Sequence, residues 1–120
     1  MPEPTSAATC LFCRIVAGEI PATIVHDDDD VLAFRDIVPR APTHVLVIPK
    51  RHIASAADLT EESAPLAGRL LLTAARIAVE EGIAQDGYRL VSNVGRWGGQ
   101  TVDHLHVHLM GGRSFSWPPG

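Results

Sequence analysis

The sequence predicts an α+β domain in which one curved, mainly antiparallel sheet of five strands carries a single long helix. Three observations lead there. Short β-branched and aromatic runs outnumber helical ones, only one stretch keeps helical spacing for several turns, and that stretch interrupts the strands once rather than alternating with them.

In chain order, Ala22-Thr23-Ile24-Val25-His26 and Val31-Leu32-Ala33-Phe34-Arg35 read as a β-hairpin. The four aspartates Asp27 to Asp30 between them suit a solvated turn better than a metal site, because successive side chains diverge. His44-Val45-Leu46-Val47-Ile48 is the third strand, bounded by Pro42 and by Pro49-Lys50-Arg51, and its apolar continuity suggests a central position. From about Glu61 to Glu81, Leu66, Leu70, Ala74, Ile77 and Ala78 recur at helical spacing, with Gly82 as the stop. Asp58 with Glu61, or Ser63 just before Pro65, caps its start, and Pro65 fits only in the first turn. The last two strands are Tyr88 to Asn93 and His104 to Met110, joined through the glycine-rich stretch Gly95-Arg96-Trp97-Gly98-Gly99-Gln100.

A length of 120 residues is one domain with one core, small enough that burying further surface in a homo-oligomer would help it. Residues 1–9 read as a flexible tail without the basic and apolar regions of a secretory signal, and residues 10–120 as the domain. A net charge of -4 gives no field to hold a polynucleotide, and no apolar run approaches the roughly 20 residues that cross a bilayer. Neither a nucleic acid polymer nor a membrane is expected as partner, and the expected location is cytoplasmic. In that setting Cys10 and Cys13 are reduced thiols or metal ligands rather than a disulfide.

Side chains alternate along a strand, so His104, His106 and His108 share one face, with Leu105, Val107 and Leu109 on the other. Neighbouring imidazoles are then roughly 6 to 7 Å apart, too far for direct hydrogen bonds but close enough to serve one substrate. An imidazole near its ordinary pKa serves as nucleophile, acid or base around neutrality. Gly95, Gly98 and Gly99 let backbone N–H groups approach anionic oxygens. Three aligned histidines near such a loop point to chemistry on a phosphate, with a His-x-His metal pair or a plain surface strand as the alternatives.

His104-Leu105-His106-Val107-His108-Leu109-Met110 resembles the signature of the histidine triad (HIT) family. Ala33 to Ile37, Ala41 to Lys50, Gly98 to Val102 and the terminal Trp117-Pro118-Pro119-Gly120 are similar to its Hint branch, the histidine triad nucleotide-binding proteins; the resemblance runs from about Cys10 to the end. It implies that family's fold, with a short N-terminal helix before the sheet. It also implies a purine nucleoside phosphoramidase that splits the P–N bond of adenosine 5'-phosphoramidates through a covalent nucleotidyl-histidine. On that pattern His106 is the nucleophile and His108 protonates the leaving amine. His44 and His104 then form a relay that sets the protonation of His106, and no cofactor is required for catalysis.

By the same resemblance Leu11, Phe12, Ile15, Phe34 and Ile37 sandwich the purine, and Asp36 accepts from the ribose hydroxyls. Asn93, Gly99, Gln100 and Thr101 lie at the phosphate, with Thr101 where the family usually has serine. The expected ligands are AMP, GMP and their phosphoramidate or adenylate derivatives. The terminal arm would cross a twofold interface built by the helix and the Tyr88 strand, so that Trp117 borders the other subunit's site in a homodimer. Related bacterial proteins and the galactose-phosphate uridylyltransferases pair two such cysteines with two histidines, which map here to a structural zinc on Cys10, Cys13, His52 and His104. That assignment competes with the catalytic relay for His104, and with two reduced thiols for the cysteines. A dinucleoside polyphosphate hydrolase and a nucleotide-binding regulatory module with incidental catalysis are the alternative functions.

Overall fold

The structure is a computed structural model and describes residues 9–120. The tail expected over residues 1–9 therefore lies, apart from Thr9, outside the described residues. The elements run α1 (Leu11–Val16), β1 (Ile24–Asp27), β2 (Val31–Arg35), β3 (Thr43–Pro49), a 3-10 turn (Ala56–Asp58), α2 (Ala64–Glu80), β4 (Tyr88–Val91) and β5 (Val107–Gly111). The strands form one antiparallel sheet in the order β1-β2-β3-β5-β4. The expected α+β class, the five strands, the one long helix and the short N-terminal helix are all present.

β3 is the central strand, and all seven of its residues are buried. Val45 and Val47 face α2, where they join Val31, Ala33, Leu105, Val107 and Leu109 against Leu70, Ala74, Ile77 and Ala78. Leu46 and Ile48 face the other way and join Leu32 and Phe34 under Cys10 and Phe12 of the α1 segment. Cover on both faces is why β2 and β3 read as continuous apolar runs rather than alternating ones.

The helix starts later than its periodicity alone suggests, at Ala64, with Pro65 tolerated in the first turn. Ser63 is its boundary residue, but its hydroxyl closes the preceding turn instead of capping the helix: it accepts from the Thr60 N–H at 2.9 Å and donates to the Thr60 carbonyl at 3.1 Å. Asp58 is taken up by Ser55, whose hydroxyl donates to it at 3.0 Å. Gly82 ends the helix at φ 76°. The Asp27 to Asp30 turn is a hairpin turn: Asp28 Oδ1 accepts from the N–H groups of Asp30 and Val31, while Asp28 Oδ2 meets His26 at 2.7 Å. The hydrogen bond from His26 holds the Asp28 carboxyl well below the usual range.

β5 is shorter than expected and begins at Val107, so His104 and His106 precede the ladder. Pro49, at the matching end of β3, has no N–H to offer, and its carbonyl accepts from the His104 ring at 2.8 Å. The alternation survives all the same: Leu105, Val107 and Leu109 all belong to the α2-side core. Among the described residues no helix is long and apolar enough to cross a membrane.

Ile77 is 1% exposed at the centre of the α2–sheet contact. Ile77→Ala is expected to lower unfolding stability in urea by roughly 2–5 kcal/mol; a loss below about 1 kcal/mol would mean that this face does not hold the helix to the sheet.

Candidate active site

The face of the sheet opposite α2 carries the chemistry. His44, Leu46 and Ile48 alternate along β3, and His108 on β5 lies diagonally across from His44, because His44 pairs with Met110 and Leu46 with His108. The two imidazoles meet directly, with His44 Nε2 2.9 Å from His108 Nδ1. No such bond joins His106 to His108, whose ring centroids are 5.0 Å apart.

Fixed backbone partners determine which ring nitrogens carry protons. The Arg40 N–H donates to His44 Nδ1 at 3.0 Å, so the His44 proton is on Nε2 and is donated to His108 Nδ1. His108 then keeps its own proton on Nε2. His106 Nδ1 donates to the His104 carbonyl at 2.7 Å, which leaves His106 Nε2 with a free lone pair. The site thus pairs a nucleophilic nitrogen with a neighbouring N–H donor. Burial, reinforced by the neighbouring His106 and His44, pushes His108 down to about 4, and burial also lowers His44.

The ring of His104 takes no part in this relay. Its Nε2–H is held by Pro49, and its bare Nδ1 lies 3.4 Å from Cys10 Sγ, 3.5 Å from Cys13 Sγ and 3.2 Å from His52 Nδ1. What reaches His106 is the backbone carbonyl of His104, so the expected ring relay is corrected to a peptide contact. The four ligand atoms of Cys10, Cys13, His52 and His104 all lie within 4.8 Å of one another. Zn–S bonds of about 2.3 Å and Zn–N bonds of about 2.0–2.1 Å in a tetrahedron give ligand-to-ligand edges of about 3.3–3.8 Å. The separations of 3.2 to 3.5 Å among these atoms, which include 3.2 Å from Cys13 Sγ to His52 Nδ1, fit that donor set. Burial, with Cys10 beside it, pushes the Cys13 thiol up to about 11.

Beside the histidines a cavity of ≈ 240 Å³ lies between the sheet and α1. Leu11, Phe12 and Ile15 form one wall and Phe34 and Leu46 the floor, while Asp36, Thr101, His106 and His108 supply the polar side and Ile37 the rim. Phe12 packs edge-on against Phe34, His104 and His106 at 5.1 to 5.9 Å, so the same ring closes the cavity and backs the His106 imidazole. Asp36 lies 3.5 Å from His44 Nε2 and accepts from the Val38 N–H.

Nine of the expected nucleotide contacts therefore line one cavity: Leu11, Phe12, Ile15, Phe34, Asp36, Ile37, Thr101, His106 and His108. Asn93, Gly99, Gln100 and Trp117 do not. The glycine loop closes on itself: the Gly95 N–H donates to Gln100 Oε1, the Gly99 N–H to the Arg96 carbonyl and the Gln100 N–H to the Gly95 carbonyl. Gln100 Nε2 donates to the carbonyls of Ala54 and Val102, and Asn93 Nδ2 to that of Gly98, so these groups hold the loop together. Trp117 is 85% exposed within its own chain.

Sequence reasoning missed Leu46, although it shares the His44 face by strand period, and Ile20, Pro21, Ala22, Arg35 and Val102, which carry no such signal. The Arg40 and Pro49 backbone groups were also invisible to it.

A profile of the HIT domain matches residues 17–115. The chain belongs to the HIT domain family. It is 51% identical over 107 residues to the purine nucleoside phosphoramidase of Escherichia coli K12, across 89% of this chain and 90% of that protein. It is 56% identical over 110 residues to an uncharacterized HIT-like protein of Synechococcus elongatus, across 92% and 96% of the two chains. Among solved structures, a HIT family hydrolase from Legionella pneumophila superposes with TM-score 0.91 at 54% identity, covering 92% of this chain and 99% of that one. A histidine triad protein from Clostridium difficile gives 0.86 at 43% identity, over 89% and 93%.

His108 of this HIT domain binds a proton less readily folded than unfolded. Between its ordinary value near 6.5 and about 4 the unfolded chain therefore holds the extra proton, and stability is lost as the pH falls through that window. The fall in Tm from about pH 7 to about pH 5 is expected to be smaller in His108→Gln than in the wild type. Equal falls would show that His108 is not a source of the acid sensitivity.

Proposed function

We propose that the protein is a purine nucleoside phosphoramidase acting through a nucleotidyl-His106 intermediate. The observation that carries this reading is the pairing of a free lone pair on His106 Nε2 with an N–H on His108 Nε2, both at the polar side of an apolar cavity. An apolar slot beside an acid and a phosphate-directed nucleophile suits a nucleoside monophosphate, with the base on Phe12, Ile15 and Phe34, the ribose on Asp36 and the α-phosphate toward Thr101. The name of the Escherichia coli relative supports the same substrate class.

In the first step His108, which has taken up a proton from solvent as the anionic phosphate bound, gives a proton from Nε2 to the departing amine while the P–N bond breaks and His106 Nε2 bonds to phosphorus. Water then splits the adduct, releasing AMP and returning a proton through the same nitrogen. Entry of the anionic phosphate raises the affinity of His108 for the proton it relays. Two displacements replace one difficult attack by water. Cys10, Cys13, His52 and His104 would hold a structural zinc, which supplies a rigid anchor for α1 and for the peptide of His104; these four side chains take no part in the displacement. Two copies would pair through α2 and the edge strand β4, where Leu71, Leu72, Val79 and Leu90 are exposed.

Hydrolysis of an adenosine 5'-phosphoramidate is expected for the wild type, falling by about 10⁴-fold or more in His106→Ala. Mass spectrometry of quenched wild type should catch an AMP adduct that the variant lacks. Nucleotide binding with no turnover would replace this reading with a regulatory binding module, and faster cleavage of dinucleoside polyphosphates would replace it with that hydrolase.

Native mass spectrometry reads the other two proposals together. The purified wild type is expected as a dimer with one zinc per chain, and Cys13→Ser as a chain without zinc. A metal-free wild type overturns the zinc, and a monomer overturns the dimer.

A further inference from the structure

We propose that Arg113 is a positioning residue for the His44–His108 relay, acting through the backbone of Arg40. Arg113 donates to the Arg40 carbonyl twice, from Nε at 3.1 Å and from Nη2 at 3.0 Å. Arg40 in turn donates its own N–H to His44 Nδ1 at 3.0 Å, and His44 Nε2 lies 2.9 Å from His108 Nδ1. The N–H of Arg40 forces the His44 proton onto Nε2, and that proton forces the His108 proton onto its own Nε2. A planar guanidinium gripping one carbonyl with two parallel donors fixes the orientation of residue 40 better than a single bond would.

The surroundings hold the grip in place. The Phe115 ring packs under the guanidinium, 4.1 Å from Arg113 Cζ, and Arg89 covers it at 5.0 Å. Arg89 also donates to the Ser116 carbonyl at 2.8 Å, tying the segment to β4. Gly112 has φ 89°, and a Cβ there would meet Pro42 Cβ at 2.8 Å, so only glycine lets the turn after β5 lie this close to the loop that carries Arg40. The arm after β5 therefore determines, at one remove, which nitrogen of His108 presents its proton to the cavity. Asp36, 3.5 Å from His44 Nε2, is a second acceptor for the same proton and does not replace the Arg40 contact at Nδ1.

The consequence for turnover rests on the phosphoramidase reading, whereas the proton positions do not. The test is ring-nitrogen NMR of histidine-labelled protein, comparing the wild type with Arg113→Met, which keeps bulk without donors, and Arg113→Lys, which keeps one donor. The wild type is expected to show both His44 and His108 as the Nε2–H form. Arg113→Met should show a mixture of forms at both residues while the amide spectrum of the sheet is unchanged, and Arg113→Lys should lie between. On the phosphoramidate, kcat should fall about tenfold in Arg113→Met with KM unchanged, because the base cavity is untouched. Unchanged proton positions in the folded variants overturn the proposal, and if Arg113→Met does not fold, Arg113→Lys decides it alone. Absent turnover in the wild type would sink the phosphoramidase reading and leave the nitrogen spectra to judge the relay.

Discussion

A buried imidazole must satisfy both of its nitrogens, and His104 does so with groups from two distant parts of the chain. Its Nε2 takes the Pro49 carbonyl at the end of the central strand, and its Nδ1 faces the two cysteines at the start of α1. With the ring fixed on both sides, the peptide of His104 is fixed as well, and its carbonyl holds His106 Nδ1 at 2.7 Å. The free lone pair on His106 Nε2 therefore depends on a side chain that does not line the cavity. The same anchor holds Phe12, whose ring forms part of that cavity and packs on both His104 and His106.

A second constraint is the division of labour between the two faces of the sheet. Valines at 45 and 47 bind α2, whereas His44, Leu46 and Ile48 face the α1 segment and the cavity. Stability and chemistry thus occupy alternate positions of one strand, which requires both faces to be covered. The cover over the chemical face is thin, because α1 has only six residues, and this leaves room for a ligand. Electrostatics on that face are governed by burial, which lowers the proton affinity of both His44 and His108.

The strands, their central member and the single helix were legible because they rest on local pattern: short continuous apolar runs between turn residues in β2 and β3, and a period near 3.6 in α2. The shared face of the histidines was legible for the same reason and holds even where the ladder stops. The family resemblance then assembled Leu11, Phe12, Ile15, Phe34, Asp36 and Ile37 around one cavity, a grouping no local pattern contains. It offered the ring of His104 both a relay and a metal site, and the neighbours found around it are those of the metal site; the side chains of Asn93 and Gln100 and the N–H of Gly99 are taken up within the loop and by the Ala54 carbonyl. A glycine-rich segment permits inward N–H groups without dictating where they point.

By itself, then, the sequence determined the elements, their approximate order of burial and the shared face of the histidines, since these follow from side-chain type and period along the chain. Tertiary structure alone decided which nitrogen of each histidine carries the proton. Those positions are set by the Arg40 N–H and by the carbonyls of Pro49 and His104, backbone groups that every residue type offers. Only the folded path of the chain brings one of them within 3 Å of an imidazole, so nothing in the order of the residues marks them in advance.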